Sequence, residues 1–357
     1  MAELKPDVGM KPTLSWQEAD QASIATHWQP ALLIDLLIAR DFSSHHILRG
    51  SGIFYEDIVT GQQRMSANQL LQLISNARRL DEADLSFRWG NHALPGHCGC
   101  FSQLLASAVS LRDFLTLLTR YHRVFSPLLV PHRYEDQHSV YVHWIPASGL
   151  GEHHAFLAEV AMTSVVSACQ WFYGQRLPWR FAFAHPAPNH IEQYWLNLGE
   201  AIQFEAGMDV MKIDRAWLDK PFQQHNSPVS QAARQVLEQE CQRQWQADYH
   251  SPLLPEAVYQ WLMAHIQQPN SLEQVAQAFA MSPATFKRKL KKHQVHFQAI
   301  QDRARLQTSV YLLYVRGWTN EQVADYLNFN DTTNFRRAFK RWCGLTPSDS
   351  KYLLSLV

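Results

Sequence analysis

The sequence predicts an α+β domain with a small, mainly antiparallel sheet, followed by an all-α domain with two helix-turn-helix units joined by a connecting helix. Three observations support this prediction. A chain of 357 residues is too long for one ordinary core. Helical and strand patterns mix up to about residue 222, whereas helical patterns dominate beyond residue 250. Finally, the short segment 271–276 (SLEQVA) recurs as 319–324 (TNEQVA), which indicates a duplicated unit.

The composition is typical of a soluble globular protein, with 46% hydrophobic and 18% charged residues. The first thirty residues lack the apolar run of a secretory signal. The apolar stretch 31–39 is far shorter than the ~20 residues of a membrane span. The five cysteines are odd in number and scattered, which favours reduced thiols over disulfides. We therefore expect a cytoplasmic protein with no membrane partner.

The first part of the chain mixes the two kinds of secondary structure. This mixture, in this order, favours an α+β domain. The predicted helices are 30–39, 66–80, 110–124, 153–173 and 190–198, and the predicted strands are 140–145, 180–184, 202–205 and 210–213.

One more helix is predicted over residues 229–245, after the Asn226-Ser227-Pro228 break. Its apolar stripe is only partial. We expect this helix to link the two domains, and a contribution to a homodimer is an open alternative.

The net charge of zero hides an asymmetry between the two parts. Residues 1–250 contain 19 basic and 25 acidic side chains, whereas residues 251–357 contain 13 basic and seven acidic ones. The second part therefore carries a net charge of +6 and the first a net charge of −6. A basic domain attached to an acidic one indicates a polyanionic partner, such as nucleic acid.

Both copies of the repeat begin with the same capping signal. Ser271 stands three residues before Gln274, and Thr319 stands three residues before Gln322. In this capping box, each side chain satisfies a free backbone amide at the start of a helix. Two helices are therefore predicted to begin at Ser271 and Thr319.

A second helix is predicted to follow each of these short helices. The short helices are expected to end near Ala280 and Asn328. Ser282 followed by Pro283 is a strong signal for a new helix, because proline at the first helical position loses no hydrogen bond. In the second copy we expect Asn330 to cap the helix, with Asp331 favoured by the positive helix end. Two helices joined by so tight a turn form a helix-turn-helix unit.

Each second helix has one apolar stripe and one basic face. The expected core residues are Phe286, Leu290, Phe335, Phe339 and Trp342. The basic residues are Lys287, Arg288, Lys289, Lys291 and Lys292 in the first helix, and Arg336, Arg337, Lys340 and Arg341 in the second. One such helix is more often a solvated surface, but two in corresponding positions favour DNA contact.

A connecting helix is predicted over residues 297–314, because apolar residues recur there at helical spacing. A rigid connector fixes the separation of the two basic helices. To enter the major groove on one face of the duplex, they must lie ~34 Å apart. Bending of the DNA would relieve a mismatch in that spacing.

The segment 323–347 (VADYLNFNDTTNFRRAFKRWCGLTP) closely resembles the signature of the AraC/XylS family of transcription regulators. The resemblance extends upstream through 280–290 (AMSPATFKRKL) and covers about residues 251–355. This chain has Asn328 where the family usually has glycine, at a position expected to be left-handed; asparagine tolerates this conformation better than most residues. The segment 349–351 also replaces the usual Tyr-Arg ending.

The resemblance implies that double-stranded promoter DNA is the partner, with RNA polymerase as a second one. It further implies that Ala284, Lys287 and Arg288 face bases from the first recognition helix, and that Thr332, Thr333, Arg336 and Arg337 do so from the second. Arg288 and Arg337 could each bind guanine bidentately, whereas Lys291 and Lys340 would hold phosphate. For each single residue a phosphate or solvent role is an open alternative. The complete expected DNA-binding set is Ala284, Thr285, Lys287, Arg288, Lys291, Thr332, Thr333, Arg336, Arg337 and Lys340.

The first domain resembles, more loosely, the arabinose-binding-type sensor domain. The segments that carry this resemblance are 101–114, 181–188 and 202–206. The resemblance implies a small-molecule effector, although the label does not require a sugar. We therefore expect a regulatory domain over 1–222, a linker helix over 223–250 and a DNA-binding domain over 251–357.

Aromatic residues of the first domain have two interpretations. They would wall an effector pocket or, as is more usual for aromatics, form the core. The core interpretation is favoured. These residues are Trp144, Trp171, Phe172, Tyr173, Trp179, Tyr194 and Trp195.

The sequence disfavours an enzyme and a metal site. A DNA-repair methyltransferase with a similar DNA-binding part would need a Pro-Cys-His-Arg segment and a four-cysteine zinc site, and the sequence has neither. The cluster 97–100 (HCGC) lacks the additional ligand that a metal needs, so we expect loop residues there and no cofactor or metal. The remaining alternative is a constitutive DNA-binding protein whose first domain only dimerises.

Overall fold

The computed structural model describes residues 15–81, 84–222 and 228–356. The strands are β1 (Ile24–Ala25), β2 (Arg64–Met65), β3 (Leu129–Glu135), β4 (Ser139–Pro146), β5 (Arg180–Ala182), β6 (Ile202–Gln203) and β7 (Val210–Asp214). The helices before residue 223 are α1 (Gln29–Ile38), α2 (Ser44–Leu48), α3 (Tyr55–Thr60), α4 (Ala67–Leu80), α5 (Leu85–Ala93), α6 (Cys100–Ala106), α7 (Leu111–Arg120), α8 (His122–Phe125), α9 (His154–Tyr173) and α10 (Ile191–Asn197).

The second part of the chain is helical. Its helices are α11 (Pro228–Gln244), α12 (Leu254–Ala264), α13 (Leu272–Ala278), α14 (Pro283–Lys292), α15 (Phe297–Val310), α16 (Asn320–Tyr326), α17 (Thr332–Cys343) and α18 (Pro347–Leu356). Two of them, α11 and α15, continue into single π-helical turns, Trp245–Tyr249 and Tyr311–Val315. The expected combination of an α+β part and an all-α part is confirmed.

Five strands form one sheet in the order β3-β4-β7-β5-β6. All neighbours in it are antiparallel except the β5–β6 pair, as expected for a mainly antiparallel sheet. Because β4 and β7 are antiparallel neighbours, with His143 opposite Val210, the end of β4 and the start of β7 lie at the same end of the sheet.

Most predicted elements of the first part are present, with shifts at their ends. The predicted helix 110–124 is interrupted at Tyr121, so that it becomes α7 and α8. Strand β6 ends at Gln203 rather than at Glu205, because Glu205 has a left-handed backbone with φ of 56°. Strand β3 was not predicted. It contains Pro131, and proline is tolerated in a sheet chiefly on an edge strand such as this one.

The long helix α9 forms the centre of the first core. The apolar segment 151–173, which includes α9, is long enough to cross a membrane, but 78% of an 18-residue stretch of it is buried within the protein. Helix α5 crosses it closely at Gly90, where a Cβ atom would lie 2.7 Å from the carbonyl oxygen of Val160. This close approach requires glycine, so α9 is packed as a core helix.

The core interpretation of the aromatic residues is confirmed for five of the seven. Those five are Trp144, Phe172, Tyr173, Trp179 and Tyr194. Trp171 and Trp195 are instead 56% and 49% exposed.

The two cysteines of the cluster 97–100 are packed into the first core, and Cys100 begins α6 rather than lying in a loop as expected. Cys98 is buried, and burial raises the pKa of its thiol to about 12. In the described ranges, no group of three or more His, Cys, Asp or Glu residues is placed to hold a metal ion.

The helix predicted over 229–245 is present as α11. Cys241 of α11 and Trp245 of the following π-helical turn join the core cluster of the first part, while Val236 on another face of α11 is 64% exposed. The partial apolar stripe is therefore explained, because only one side of α11 packs against the first domain.

A second hydrophobic cluster is formed by side chains of the helices α12 to α17 and the loops between them. It also includes side chains of the sheet and its loops, namely Ile145, Ala182, Ala206, Met208 and Val210. The two parts of the chain therefore share an apolar interface at one end of the sheet.

Candidate nucleic-acid interface

The first helix of each helix-turn-helix unit is capped as predicted. Ser271 Oγ accepts the Gln274 amide at 3.2 Å, and Gln274 Oε1 accepts the Ser271 amide at 2.8 Å. Thr319 and Gln322 make the same two hydrogen bonds at the same distances. The two capping boxes are confirmed, and each aligns the start of a short helix.

Both short helices end two residues before the expected ends. Helix α13 ends at Ala278 and α16 at Tyr326, because Ala280 and Asn328 adopt left-handed backbones with φ of 53° and 59°. The expectation for Asn328 is confirmed, and its side chain also donates to the carbonyl oxygen of Gln267 at 2.6 Å. Ala280 occupies the corresponding turn of the first unit without such a side-chain hydrogen bond, since alanine has no polar group.

The second helices, α14 and α17, are capped by different residue types, a serine and an aspartate. Ser282 Oγ accepts the Thr285 amide at 3.2 Å, and Pro283 is the first helical residue, as predicted. The predicted cap at Asn330 is wrong. Asp331 has an extended backbone and accepts the Asn334 amide at 2.7 Å. The helix therefore begins one residue later, with a carboxylate at its positive end, where the helix dipole favours it.

The apolar stripes of α14 and α17 are buried as expected. Phe286, Leu290, Phe335 and Phe339 are almost completely buried, and Trp342 is half-buried. These contacts fix which face of each helix remains open to solvent.

The expected DNA-binding residues lie on those open faces. Thr285 and Thr332 are half-buried. The exposed members are Ala284, Lys287, Arg288, Lys291, Thr333, Arg336, Arg337 and Lys340. Within the described part of the chain, none of the six cationic members forms an ion pair. Their charges are therefore available to an external anion.

Two other cations of α14 are paired with the amino-terminal segment. Lys289 Nζ is hydrogen-bonded to Glu18 and lies 4.7 Å from the centre of the Trp16 ring. Lys292 Nζ lies 3.2 Å from Asp20 and, chiefly through this hydrogen bond, lowers the pKa of Asp20. The basic face predicted for α14 is therefore divided into an open part and a part covered by an acidic segment.

An open cleft of about 610 Å³ lies beside α14. Its lining includes the cations Lys287, Arg288 and Lys291. The other lining residues are Asn270, Ser271, Leu272, Leu290, His296, Phe297, Gln298 and Gln301. These cations place positive charge beside α14, which suits an anionic group such as a phosphate.

The predicted connecting helix is present as α15 and its π-helical turn. Ile300 and Ala304 are completely buried in the second cluster. Arg303 Nη1 also donates to the carbonyl oxygen of Pro146 at 2.9 Å. The connector is therefore fixed both to its own domain and to the end of β4.

Two capped helix pairs, each with a basic second helix and both joined by one connector, define a helix-turn-helix DNA-binding protein. Residues 42–222 match the family described as the arabinose-binding domain of AraC transcription regulator, N-term, and residues 275–351 match a helix-turn-helix domain. The chain belongs to the AraC family of transcriptional regulators. It is a DNA-binding transcriptional regulator and not an enzyme.

Several characterised proteins are similar to this chain. The ornithine utilization regulator of Pseudomonas aeruginosa is 26% identical over 320 residues, which cover 89% of this chain and 93% of that protein. The regulator AdiY of Escherichia coli is 30% identical over 92 residues, which cover 26% of this chain and 36% of that protein. The crystal structure of CdpR from Pseudomonas aeruginosa aligns with 91% of this chain and 98% of its own, with 16% identity and a TM-score of 0.42.

Proposed function

We propose that α14 and α17 enter the major groove of promoter DNA and that the ten residues named above contact it. One observation carries this proposal. The expected cationic contacts are exposed and free of ion pairs in the described residues, whereas neighbouring cations such as Lys289 are paired with acids. An unpaired cation on a recognition helix gains more from a phosphate or a guanine than a paired one, because no existing ion pair must first be broken.

Roles within this set follow from the chemistry of the side chains. Arg288 and Arg337 bind guanine through two parallel hydrogen bonds, which discriminates between bases. Lys291 and Lys340 bind phosphate, which contributes affinity without base discrimination. Footprinting of DNA fragments bound by the intact protein tests the proposal, and two protected segments on one face of the duplex are the expected result. One protected segment only would contradict reading by both helices.

The domain assignment is part of the same proposal. Residues 1–222 act as the regulatory domain, 223–250 as the linker helix and 251–357 as the DNA-binding domain, in the cytoplasm, where DNA and RNA polymerase are accessible. The match of the first part to an arabinose-binding domain supports a small-molecule effector. The similarity to a regulator of ornithine utilization supports a small metabolite as that effector. Thermal unfolding with a library of amino acids, amines and sugars tests this, and a ligand-induced rise in melting temperature is expected.

A homodimer is the second candidate for the role of the first domain. The exposed Trp171 and Trp195 favour it, because large aromatic side chains are enriched at interfaces. Sedimentation of the intact chain at micromolar concentration, with Trp171→Ser as a comparison, tests this candidate. A monomer at all concentrations would contradict it.

A further inference from the structure

The first recognition helix is held at its carboxyl end by the loop after β4. The Gly149 amide donates to the carbonyl oxygen of His293 at 2.8 Å, and Ser148 Oγ donates to the same oxygen at 3.1 Å. A Cβ atom on Gly149 would lie only 2.2 Å from the carbonyl oxygen of Gln294. The two backbones are therefore in direct contact, and no other residue fits between them.

The second recognition helix is held at the same end by the loop before β7. A Cβ atom on Gly207 would lie 2.4 Å from the carbonyl oxygen of Cys343, the last residue of α17. The neighbours Ala206 and Met208 are buried in the hydrophobic cluster of the DNA-binding part. This contact is therefore part of a packed interface.

Both holding loops belong to one rigid frame. One loop follows β4 and the other precedes β7, and these adjacent antiparallel strands place the two loops at the same end of the sheet. The Trp144 amide donates to the carbonyl oxygen of Asp209 at 3.0 Å, which extends the pairing toward the loops. The separation of the two glycine contacts is therefore set by the sheet.

We propose that Gly149 and Gly207 are positioning residues for DNA reading, which act together with the connector α15 and hold the carboxyl ends of α14 and α17 at the end of the sheet. This inference rests on the proposed function of the two helices. Recognition elements on one face of the duplex must be one helical turn, ~34 Å, apart to meet successive major grooves. A held separation thus selects the number of base pairs between the two halves of the DNA site. The first domain thereby contributes to specificity without touching DNA.

The test compares affinities for DNA sites of different spacing. The wild-type protein first enriches its preferred duplexes from a random-sequence pool, and derivatives are made with one base pair inserted or deleted between the two contacted elements. The variants are Gly149→Ala and Gly207→Ala. Gly174→Ala is the matched control, since its φ of 69° resembles the 73° of Gly207 but nothing lies within 4 Å of the added Cβ.

We expect the wild type and Gly174→Ala to discriminate strongly against altered spacing. In Gly149→Ala and Gly207→Ala the ratio of affinities for the preferred and altered spacings should fall by about tenfold, which corresponds to about 1.4 kcal/mol. Ser148→Ala, which removes only the contacts of one hydroxyl group with His293, should shift the ratio in the same direction by less. The Ser148→Ala variant still tests the inference if a glycine variant does not fold.

Two results would overturn the inference alone. One is an unchanged affinity ratio in the variants, and the other is a loss of affinity that is equal for all spacings, as expected from a purely structural role. Enrichment of a site with a single element would instead contradict the proposed function itself, together with the inference. Circular dichroism and melting temperature establish that each variant is folded.

Discussion

The guanidinium of Arg123 lies 2.7 Å from the carboxylate of Glu256, and this buried ion pair joins α8 of the first domain to α12 of the second. His122 Nε2 lies 3.2 Å from the same carboxylate. Burial alone would raise the pKa of Glu256, but the charges of Arg123 and His122 lower it to about 2. Arg123 also donates to the carbonyl oxygens of Tyr249 and His250, each at 3.0 Å. One arginine thus connects both domains and the chain between them.

Replacing Glu256 should loosen the contact between the domains. Glu256→Gln leaves Arg123 buried without its counter-charge, and breaking one side of a buried pair costs about 3–5 kcal/mol. Denaturant unfolding and limited proteolysis after residue 250 measure the effect. Glu321→Gln, an exposed carboxylate of α16, is the control and should change stability by less than about 0.5 kcal/mol. A Glu256→Gln variant as stable as this control would contradict the role of the pair.

The arginines and lysines of the recognition helices should differ in their effect on specificity. Arg288→Ala and Arg337→Ala should each cost ~1–3 kcal/mol on the preferred site and relax base preference there. Lys291→Ala and Lys340→Ala should weaken binding to preferred and random DNA alike and flatten the salt dependence. Titrations on both DNAs at several salt concentrations measure this. Equal losses on the two DNAs for the arginine variants would refute base reading.

Releasing the acidic segment from α14 should strengthen DNA binding. The double variant Glu18→Gln, Asp20→Asn frees Lys289 and Lys292 for phosphate contacts. Affinity should rise for any sequence, and the slope of log K against log salt should steepen by up to about 1.8, or about 0.9 for each added phosphate contact. Glu273→Gln, an exposed carboxylate of α13, is the control for the change in net charge. An affinity gain no larger than that of this control would show that the acidic segment does not compete with DNA.

Acidification should destabilise the folded protein through its buried histidines. Burial lowers the pKa of His132 to about 3, and burial is also the main cause that lowers the pKa values of His143 and His293 to about 4. These histidines stay neutral when folded, whereas the unfolded chain binds their protons near pH 6.5. Their destabilising effect is absent above about pH 6.5. As the pH falls toward 4, each histidine lowers the free energy of unfolding by at most about 1.4 kcal/mol per pH unit.

The carboxylates add to this trend at lower pH. Burial would raise the pKa of Asp209, but His154 at 3.0 Å and its other partners lower it on balance. The stabilisation by Asp209 and Glu256 is therefore complete above the unfolded-state values near 4 and is lost as the pH falls through their folded-state values. Denaturant unfolding between pH 7.5 and 5 isolates the histidine contribution. A constant free energy of unfolding over that range would contradict it.

Local sequence signals were sufficient to predict the two helix-turn-helix units. The capping boxes at Ser271 and Thr319 depend on residues three positions apart, so they can be read directly from the chain. The choice between Asn330 and Asp331 as the cap of α17 could not be predicted from the sequence. Both side chains can cap a helix, and the backbone conformation decides which of them does so.

Contacts between distant parts of the chain could not be predicted from local signals. The pairing of Lys289 with Glu18 joins residues 271 positions apart, and no periodicity encodes it. Gly149 resembles any loop glycine in the sequence, because its importance comes from the backbone of another domain. The sequence therefore indicated which residues form the basic faces but not which parts of these faces are covered.

The acidic segment covers one flank of α14, and the described residues show no equivalent ion pairs from it to α17. The two reading helices also differ in sequence, with lysine-rich and arginine-rich open faces. A protein built in this way has a direction along the DNA duplex. Reversing its binding site would exchange the bases offered to α14 and α17. Reversal of the site within a promoter would then turn the first domain toward the opposite side of the transcription start. Under the proposed function, the orientation of the site, as well as its sequence, would thus decide on which side of it the first domain lies.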